Sequence, residues 1–381
     1  MLDVNKTMKS TLIASLLFML FSSITLQAEQ TLKIAVVAQR SGQLAYFGIP
    51  IIRAVTQTID SYNNNGGSMN RKIELIIEDD FCDPGSAISI ARRNISKGFI
   101  AVIGHMCSRA TISAMELYSK SNIVVVSASS TRPSLTEMET NINFLRTIPT
   151  DRKQGETIAR FASETLGARS VVVIHDGSVY GHAMATYISG ALTKLFPNVA
   201  IKLFDQINTN DSTPTEIAKR IVISEADAAL YGGFADGAIS LYRALRGRQS
   251  TIPIIGGGDL AGETFLGQIG EDASGLFLAT LRQIDDYPSG NKIVEEYSAM
   301  YHESPNPYYA CAYVASICLT TAIDTTRSDN PSVIVSWLKS HSLETPFGNV
   351  GFTKSGDVVS ENINWIIYTV VNGKLVLFRD E

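Results

Sequence analysis

Three stretches of this 381-residue chain combine hydroxyls, glycines and one acid in a way suited to gripping a small charged molecule. The first is Gly104-His105-Met106-Cys107-Ser108, which follows the apolar run 99–103 and leads into a helical stretch. Backbone N–H groups at a helix start lack intrahelical partners. A hydroxyl such as Ser108 can join them in holding a carboxylate. The second is Ser127-Ala128-Ser129-Ser130-Thr131-Arg132-Pro133, a loop dense in donors and acceptors after the apolar run 123–126. The third is Gly256-Gly257-Gly258-Asp259, after 252–255. Glycines let a backbone approach a ligand closely, and Asp259 at a strand end can pair an ammonium ion. Tyr231-Gly232-Gly233-Phe234 and His175-Asp176-Gly177-Ser178-Val179-Tyr180-Gly181 add aromatic rings at further strand ends, an apolar slot beside a polar clamp. Such a set fits a zwitterion with an apolar tail. Plainer roles stay open at this point: Ser108 as an N-cap, the Ser/Thr cluster as turn chemistry, Asp259 as the cap of a short helix from Gly262.

Nothing comparable points to catalysis. The chain has no Gly-x-Ser-x-Gly, no Gly-x4-Gly-Lys-Ser/Thr and no His-Glu-x-x-His. Its five histidines (105, 175, 182, 302 and 341) lack metal-ligand spacing, and Cys/His zinc spacing is absent. The triple glycine lacks the flanking pattern of a dinucleotide fingerprint. No catalytic residue, metal or cofactor is assigned.

The elements that must position these residues alternate strand and helix. Runs at 33–37, 73–77, 99–103 and 123–126 are short and apolar on consecutive positions, which suits strands covered on both faces. Amphipathic stretches at 50–62, 86–97 and 108–119 lie between them. The pattern restarts with strands at 170–174, 199–204, 228–231 and 252–255, and helices at 180–196, 214–224 and 237–246. Residues 291–338 are helical, and 365–378 form a hairpin about Asn372-Gly373. The fold class is α/β: two Rossmann-like lobes with a ligand cleft between them, at the carboxyl ends of the strands. A composition of 45% hydrophobic and 18% charged residues excludes a disordered chain, and a net charge of −5 argues against wrapping nucleic acid.

Lys6 and Lys9 precede an apolar core at 12–21, then Leu26-Gln27-Ala28, the pattern of a secretory signal peptide cut after Ala28. Met8-Lys9 would make a tidier start than Met1. Export places four cysteines in an oxidising compartment. Cys311 and Cys318 fall in one helix, about 10 Å apart by helical rise, too far for a bridge and suited to small buried apolar roles. Cys82 and Cys107 each follow a strand, and neighbouring parallel strands would bring them together. Two inert thiols are the alternative.

Read in order, Ser41-Gly42 with Phe47-Gly48, Asn65-Gly66-Gly67, Asp79-Asp80-Phe81-Cys82-Asp83-Pro84 and Ile103-Gly104-His105-Met106-Cys107-Ser108 form a recognisable series. Residues 127–133, His175-Asp176 with Tyr180-Gly181, Tyr231-Gly232-Gly233 and Gly356-Asp357 continue it. The series resembles the leucine/isoleucine/valine-binding proteins, type I periplasmic solute-binding proteins of ABC transporters. The match spans essentially the whole mature chain. Cys-Asp-Pro paired with Gly-His-x-Cys-Ser is its most specific part.

The resemblance implies that Ser108 and Thr131 bind a ligand α-carboxylate. It implies that the Ser129 carbonyl, Thr131 and Asp259 bind the α-ammonium, and that Phe47, Tyr180, Phe234 and Tyr308 line the side-chain pocket. It implies a Cys82–Cys107 disulfide. With the signal peptide read at 1–28, it implies an N-terminal lobe of 29–148 and 282–360, and a C-terminal lobe of 149–281 and 361–381, with three hinge crossovers near 147–151, 281–284 and 360–362. The function implied is that of an exported, periplasmic component of an amino-acid import system, without a lipid anchor. It would close by a hinge over a branched-chain or otherwise apolar α-amino acid. The partners expected are that ligand and a membrane permease, with no nucleic acid and no second copy of the chain. A sensing protein for a signalling receptor, or a binder of an amide or acidic amino-acid-like solute, is the alternative. The chain departs from the family in carrying Asp259 where relatives often have Glu, and Phe47 and Phe234 where they often have Tyr. Arg40, Arg109 and Arg132 stand where relatives mostly have small or uncharged residues. An arginine facing the cleft would admit an acidic or polar ligand.

Overall fold

The computed structural model describes residues 31–379 apart from 43, 70, 209–212 and 271–272, and leaves out the side chains of 259, 263 and 264. The expected signal peptide lies outside the described residues. Strand β1 (Leu32–Val37) shows why its sequence is apolar without interruption. Ile34 and Val36 enter one buried cluster with helices Ala45–Asn64 and Pro307–Thr326, while Ala35 and Val37 enter another with helices Pro84–Ser96 and Ser108–Lys120. Successive side chains of a strand point to opposite faces, so a strand covered on both sides needs apolar residues at every position. With β2 (Ile73–Glu78), β3 (Ala101–Ile103), β4 (Val124–Ser127) and β5 (Phe144–Arg146), β1 makes a parallel sheet of order β2-β1-β3-β4-β5.

The second sheet repeats this plan. Strands β6 (Ser170–His175), β7 (Ala200–Gln206), β8 (Ala228–Gly232), β9 (Ile254–Gly257) and β10 (Leu276–Leu281) are parallel in the order β7-β6-β8-β9-β10. Val172 and Ile174 of β6 face one cluster, Val171 and Val173 the other. A small sheet of β11 (Leu343–Thr345), β12 (Gly348–Phe352) and β13 (Val358–Val359) follows. Then β14 (Trp365–Val371) runs antiparallel beside β10, and β15 (Lys374–Leu377) beside β14. Their turn holds Asn372 at φ 51° and Gly373 at φ 69°, both left-handed as a tight two-residue turn requires.

The chain passes between the sheets three times. It leaves the first after β5, and helix Asp151–Arg160 packs on the second, where Ile158 and Ala159 are buried. It returns after β10, because Tyr297 and most of helix Pro307–Thr326 lie in the first core. It crosses again before β14. Two parallel α/β sheets joined by three crossings follow the expected plan of two Rossmann-like lobes.

Some details differ from the sequence reading. The helix expected over 50–62 begins at Ala45, with Pro50 inside it. Proline has no N–H to give the carbonyl four residues back. Here Asn306 Nδ2 reaches the Tyr46 carbonyl at 2.6 Å and supplies that donor. The same Asn306 caps helix Pro307–Thr326 by accepting from Tyr308 N–H at 3.0 Å. Strand β7 alternates exposed and half-buried residues, being the edge of its sheet, and is not doubly covered. Strand β10 and the short strands β5 and β11 to β13 were not anticipated.

Candidate functional site

The carboxyl ends of the parallel strands of both sheets border one cavity of about 680 Å³. Phe47, Ser108, Ser129, Thr131 and Tyr308 line it on the side of the first sheet, and Tyr180, Phe234 and Gly258 on the side of the second. Every site residue expected from the sequence whose side chain is described therefore meets in one place. Asp259 belongs to the turn Gly258–Ala261 at the end of β9, next to Gly258, and its side chain lies outside the described residues. The cap of helix Glu263–Ile269 is Gly262, so Asp259 does not fill the N-cap position offered as its plainer role.

Ser108 is the first residue of helix Ser108–Lys120, and Cys107 stands at the N-cap without a side-chain hydrogen bond. The N-cap reading of Ser108 is thereby corrected: its Oγ accepts instead from Arg132 N–H at 3.3 Å, which joins the two polar loops. Those loops are fixed from beneath. Ser127 Oγ and Ser130 Oγ each donate to the His105 carbonyl at 3.0 Å, and Ser129 Oγ donates to the Met106 carbonyl at 2.9 Å. The His105 ring is fully buried, with Nδ1 2.6 Å from Asp80 Oδ2 and Nε2 3.0 Å from the Tyr118 hydroxyl. Burial pushes the Tyr118 phenol far above its ordinary pKa, so it stays protonated. Asp80 Oδ1 also accepts from Cys82 N–H at 2.9 Å. Cys82 and Cys107 form the expected disulfide, their Cα atoms 5.3 Å apart. Cys311 and Cys318 are buried thiols, each pushed up to about 12 by burial.

Arg146 at the end of β5 is fully buried and ties the Ser129–Arg132 loop to the distant chain. Its Nη1 donates to the Ser130 and Arg132 carbonyls at 2.9 Å, its Nη2 to Thr136 Oγ1 at 2.6 Å, and its Nε to Asp357 Oδ1 at 2.7 Å. Burial lowers its pKa and the facing Asp357 opposes that shift, so a guanidinium is held charged by its partners.

The opposite wall depends on Asp176. Its Oδ1 accepts from Ser178 N–H at 3.0 Å and Ser178 Oγ at 2.6 Å, and its Oδ2 from Phe234 N–H at 2.8 Å. Ser178 in turn caps helix Val179–Leu195 through Gly181 N–H at 2.9 Å. Gly233, at φ 149°, allows the chain to turn past Asp176; a Cβ there would meet the Asp176 carboxyl carbon at 2.5 Å. The rings stand as two pairs on opposite sides: Phe47 with Tyr308 at 5.1 Å, edge to face, and Tyr180 with Phe234 at 5.2 Å.

Residues 31–374 match the family model for periplasmic binding proteins. The chain belongs to the periplasmic binding protein family. It is 27% identical over 347 residues to the Leu/Ile/Val-binding protein of Escherichia coli K12, covering 91% of this chain and 93% of that one. It is 26% identical over 361 residues to the leucine-, isoleucine-, valine-, threonine- and alanine-binding protein of Pseudomonas aeruginosa, covering 94% and 95%. These relatives bear out the resemblance to the leucine/isoleucine/valine-binding proteins. Among solved structures, the branched-chain amino acid transporter substrate binding protein LivJ of Streptococcus pneumoniae, in complex with isoleucine, superposes with a TM-score of 0.76 at 24% identity, covering 91% of this chain and 98% of that one. The leucine binding protein LivK of Thermotoga maritima gives 0.78 at 22%, covering 92% and 98%. No helix among the described residues of this periplasmic binding protein is long and apolar enough to cross a membrane.

The cavity also holds residues that sequence reasoning passed over as lining: Asp151, Gln154 and Trp365. Gln154 Nε2 donates to the Ala279 carbonyl at 2.8 Å, and Trp365 Nε1 to the Thr150 carbonyl at 2.9 Å. Asp151 and Gln154 belong to the helix that follows the first crossing and Trp365 opens β14 after the third, so none lies at the carboxyl end of a parallel strand. The crossing positions, read together with the helix start at Thr150-Asp151, were the signal available for them. Arg109 and Arg132 line the cavity as well, and Arg40 does not.

Proposed function

We propose that this chain is the exported solute-binding component of an ABC-type amino-acid import system, and that it holds an α-amino acid between its two sheets. The observation that carries this reading is the single cavity, at the carboxyl ends of two like-ordered sheets, that gathers Phe47, Ser108, Ser129, Thr131, Tyr180, Phe234 and Tyr308. In it, Ser108 and Thr131, with the free amides at the head of helix Ser108–Lys120, take the α-carboxylate. The Ser129 carbonyl, Thr131 and Asp259 take the α-ammonium, and the four rings flank the side chain. The lobes are 29–148 with 282–360, and 149–281 with 361–381. The three crossings act as a hinge that closes over the ligand and presents a surface to the membrane permease. The signal peptide, 1–28, delivers the chain to the periplasm, where it works as a monomer.

A thermal-melt panel of the twenty amino acids tests this. A ligand at 100 times its Kd should add about 2.7 kcal/mol to stability. Asp259→Asn should then weaken binding of that ligand by about 2–4 kcal/mol, because a desolvated ammonium loses its ionic partner. Absence of any response across the panel overturns the reading; unchanged affinity in Asp259→Asn by calorimetry places the ammonium elsewhere.

A further inference from the structure

We infer that the ligand carries a second anionic group on its side chain, as aspartate and glutamate do, and that Arg109 and Arg132 receive it. The inference rests on the amino-acid-binding reading above and names the side-chain class which that reading leaves open. Both arginines line the cavity. Both originate beside one hydroxyl: Arg109 follows Ser108 in the chain, and Arg132 gives its N–H to Ser108 Oγ at 3.3 Å. Among the described residues, no ion pair within 4 Å engages either guanidinium, whereas Arg146 nearby is held by four acceptors. Two acids share the cavity wall, Asp83 and Asp151, and Asp83 feels the charge of Arg109 without forming an ion pair with it. Asp83 accepts from Ser86 N–H at 2.7 Å as the cap of helix Pro84–Ser96, and Asp151 is buried at the first turn of helix Asp151–Arg160.

Charge balance makes the case. An α-amino acid with a neutral side chain needs one protein carboxylate for its ammonium and neutral donors for its carboxylate. Ser108, Thr131, the helix amides and Asp259 already satisfy that need. Two guanidinium groups on the same wall, Arg109 facing Asp83 at more than ion-pair distance, would then meet an uncharged tail, and desolvating them on closure would cost free energy. A side-chain carboxylate removes the conflict, because guanidinium groups match carboxylates in charge and in planar geometry. The methylenes of such a side chain still find the ring pairs Phe47 with Tyr308 and Tyr180 with Phe234. The expectation of a branched-chain tail is thus replaced by one of an acidic tail on the same backbone grip.

Calorimetry on the full processed chain with aspartate, glutamate, leucine, isoleucine and valine decides it. The expected result is that aspartate or glutamate binds at least about tenfold more tightly than the three branched-chain ligands. Arg109→Gln and Arg132→Gln should each reduce that acidic affinity about tenfold or more. They should leave the ligand-free melting temperature near wild type, since neither side chain supports the fold by an ion pair. Tighter binding of leucine, isoleucine or valine, unaffected by either substitution, overturns the acidic class and leaves the amino-acid reading standing. Binding of no amino acid at all overturns both.

Discussion

The two walls of the cavity grow from sheets of the same internal strand order, yet they are held in different ways. On the first wall, the loops after β2, β3 and β4 are fastened by a disulfide, by the buried Asp80–His105–Tyr118 chain, and by Arg146 reaching Asp357. On the second wall, the loops after β6 and β8 meet at one carboxylate, Asp176. Of its two rings, Tyr180 is half-buried and Phe234 is 46% exposed. Shared topology therefore does not set stiffness; the satisfaction of buried polar groups does. The difference suits the chemistry proposed for each wall. Hydroxyls and amides that hold a charged head must be fixed in direction beforehand, which lowers the ordering cost of binding. Aromatic faces against a side chain tolerate small shifts.

The contrast can be broken most sharply at Arg146. Arg146→Met should cost about 3–5 kcal/mol of stability in urea denaturation, because Asp357 and the Ser130 and Arg132 carbonyls lose a buried cationic partner. A cost below about 1 kcal/mol, the scale of an exposed pair, would show that the first wall does not depend on it. Replacing Cys82 and Cys107 together by serine opens a loop closed over a sequence separation of 25. The chain-entropy account puts that loss at about 3.5 kcal/mol. A melting temperature indifferent to reductant would oppose that value.

On the second wall, Asp176→Asn should cost less, about 1–3 kcal/mol, as one acceptor of the Ser178 and Phe234 amides is weakened. Its ligand affinity should fall while the first wall's protection from amide exchange is unchanged. The smallest effect concerns pH. His175 Nδ1 accepts from Gly177 N–H at 3.0 Å, and burial, then the neighbouring His182, hold the imidazole below its usual pKa of 6.5. The unfolded chain thus takes up this proton first as pH falls. Stability from this source is complete above about pH 6.5 and is lost below it, levelling once the folded chain also binds the proton. Melting curves from pH 7.5 to 5 should slope less in His175→Gln.

Much of this was legible in the residues. The doubly covered strands declared themselves as unbroken apolar runs, and Asn372-Gly373 marked the closing hairpin. The loops 104–108 and 127–133 stood out as strand-end loops dense in hydroxyls, while the roles proposed for Ser108, Ser129 and Thr131 within them came with the family resemblance. What stayed hidden depended on distant partners. β5 reads as Phe-Leu-Arg, and a terminal arginine argues against a buried strand until Asp357, 211 positions away, supplies its counter-charge. The start of helix Ala45–Asn64 was hidden by Pro50, whose missing donor to the Tyr46 carbonyl comes from Asn306, 260 positions beyond Tyr46. The crossing residues Asp151, Gln154 and Trp365 reach the cavity only once two sheets face each other.

The helix Pro307–Thr326 covers one face of β1, and the hairpin of β14 and β15 completes the sheet that β10 would otherwise end. Each half thus borrows an indispensable piece from the tail of the chain. A ribosome or export channel that has released only the residues through β10 has freed two unfinished layers, one with a bare apolar face and the other with an unpaired edge. The contacts that finish both halves therefore span long stretches of sequence and are the last to become available.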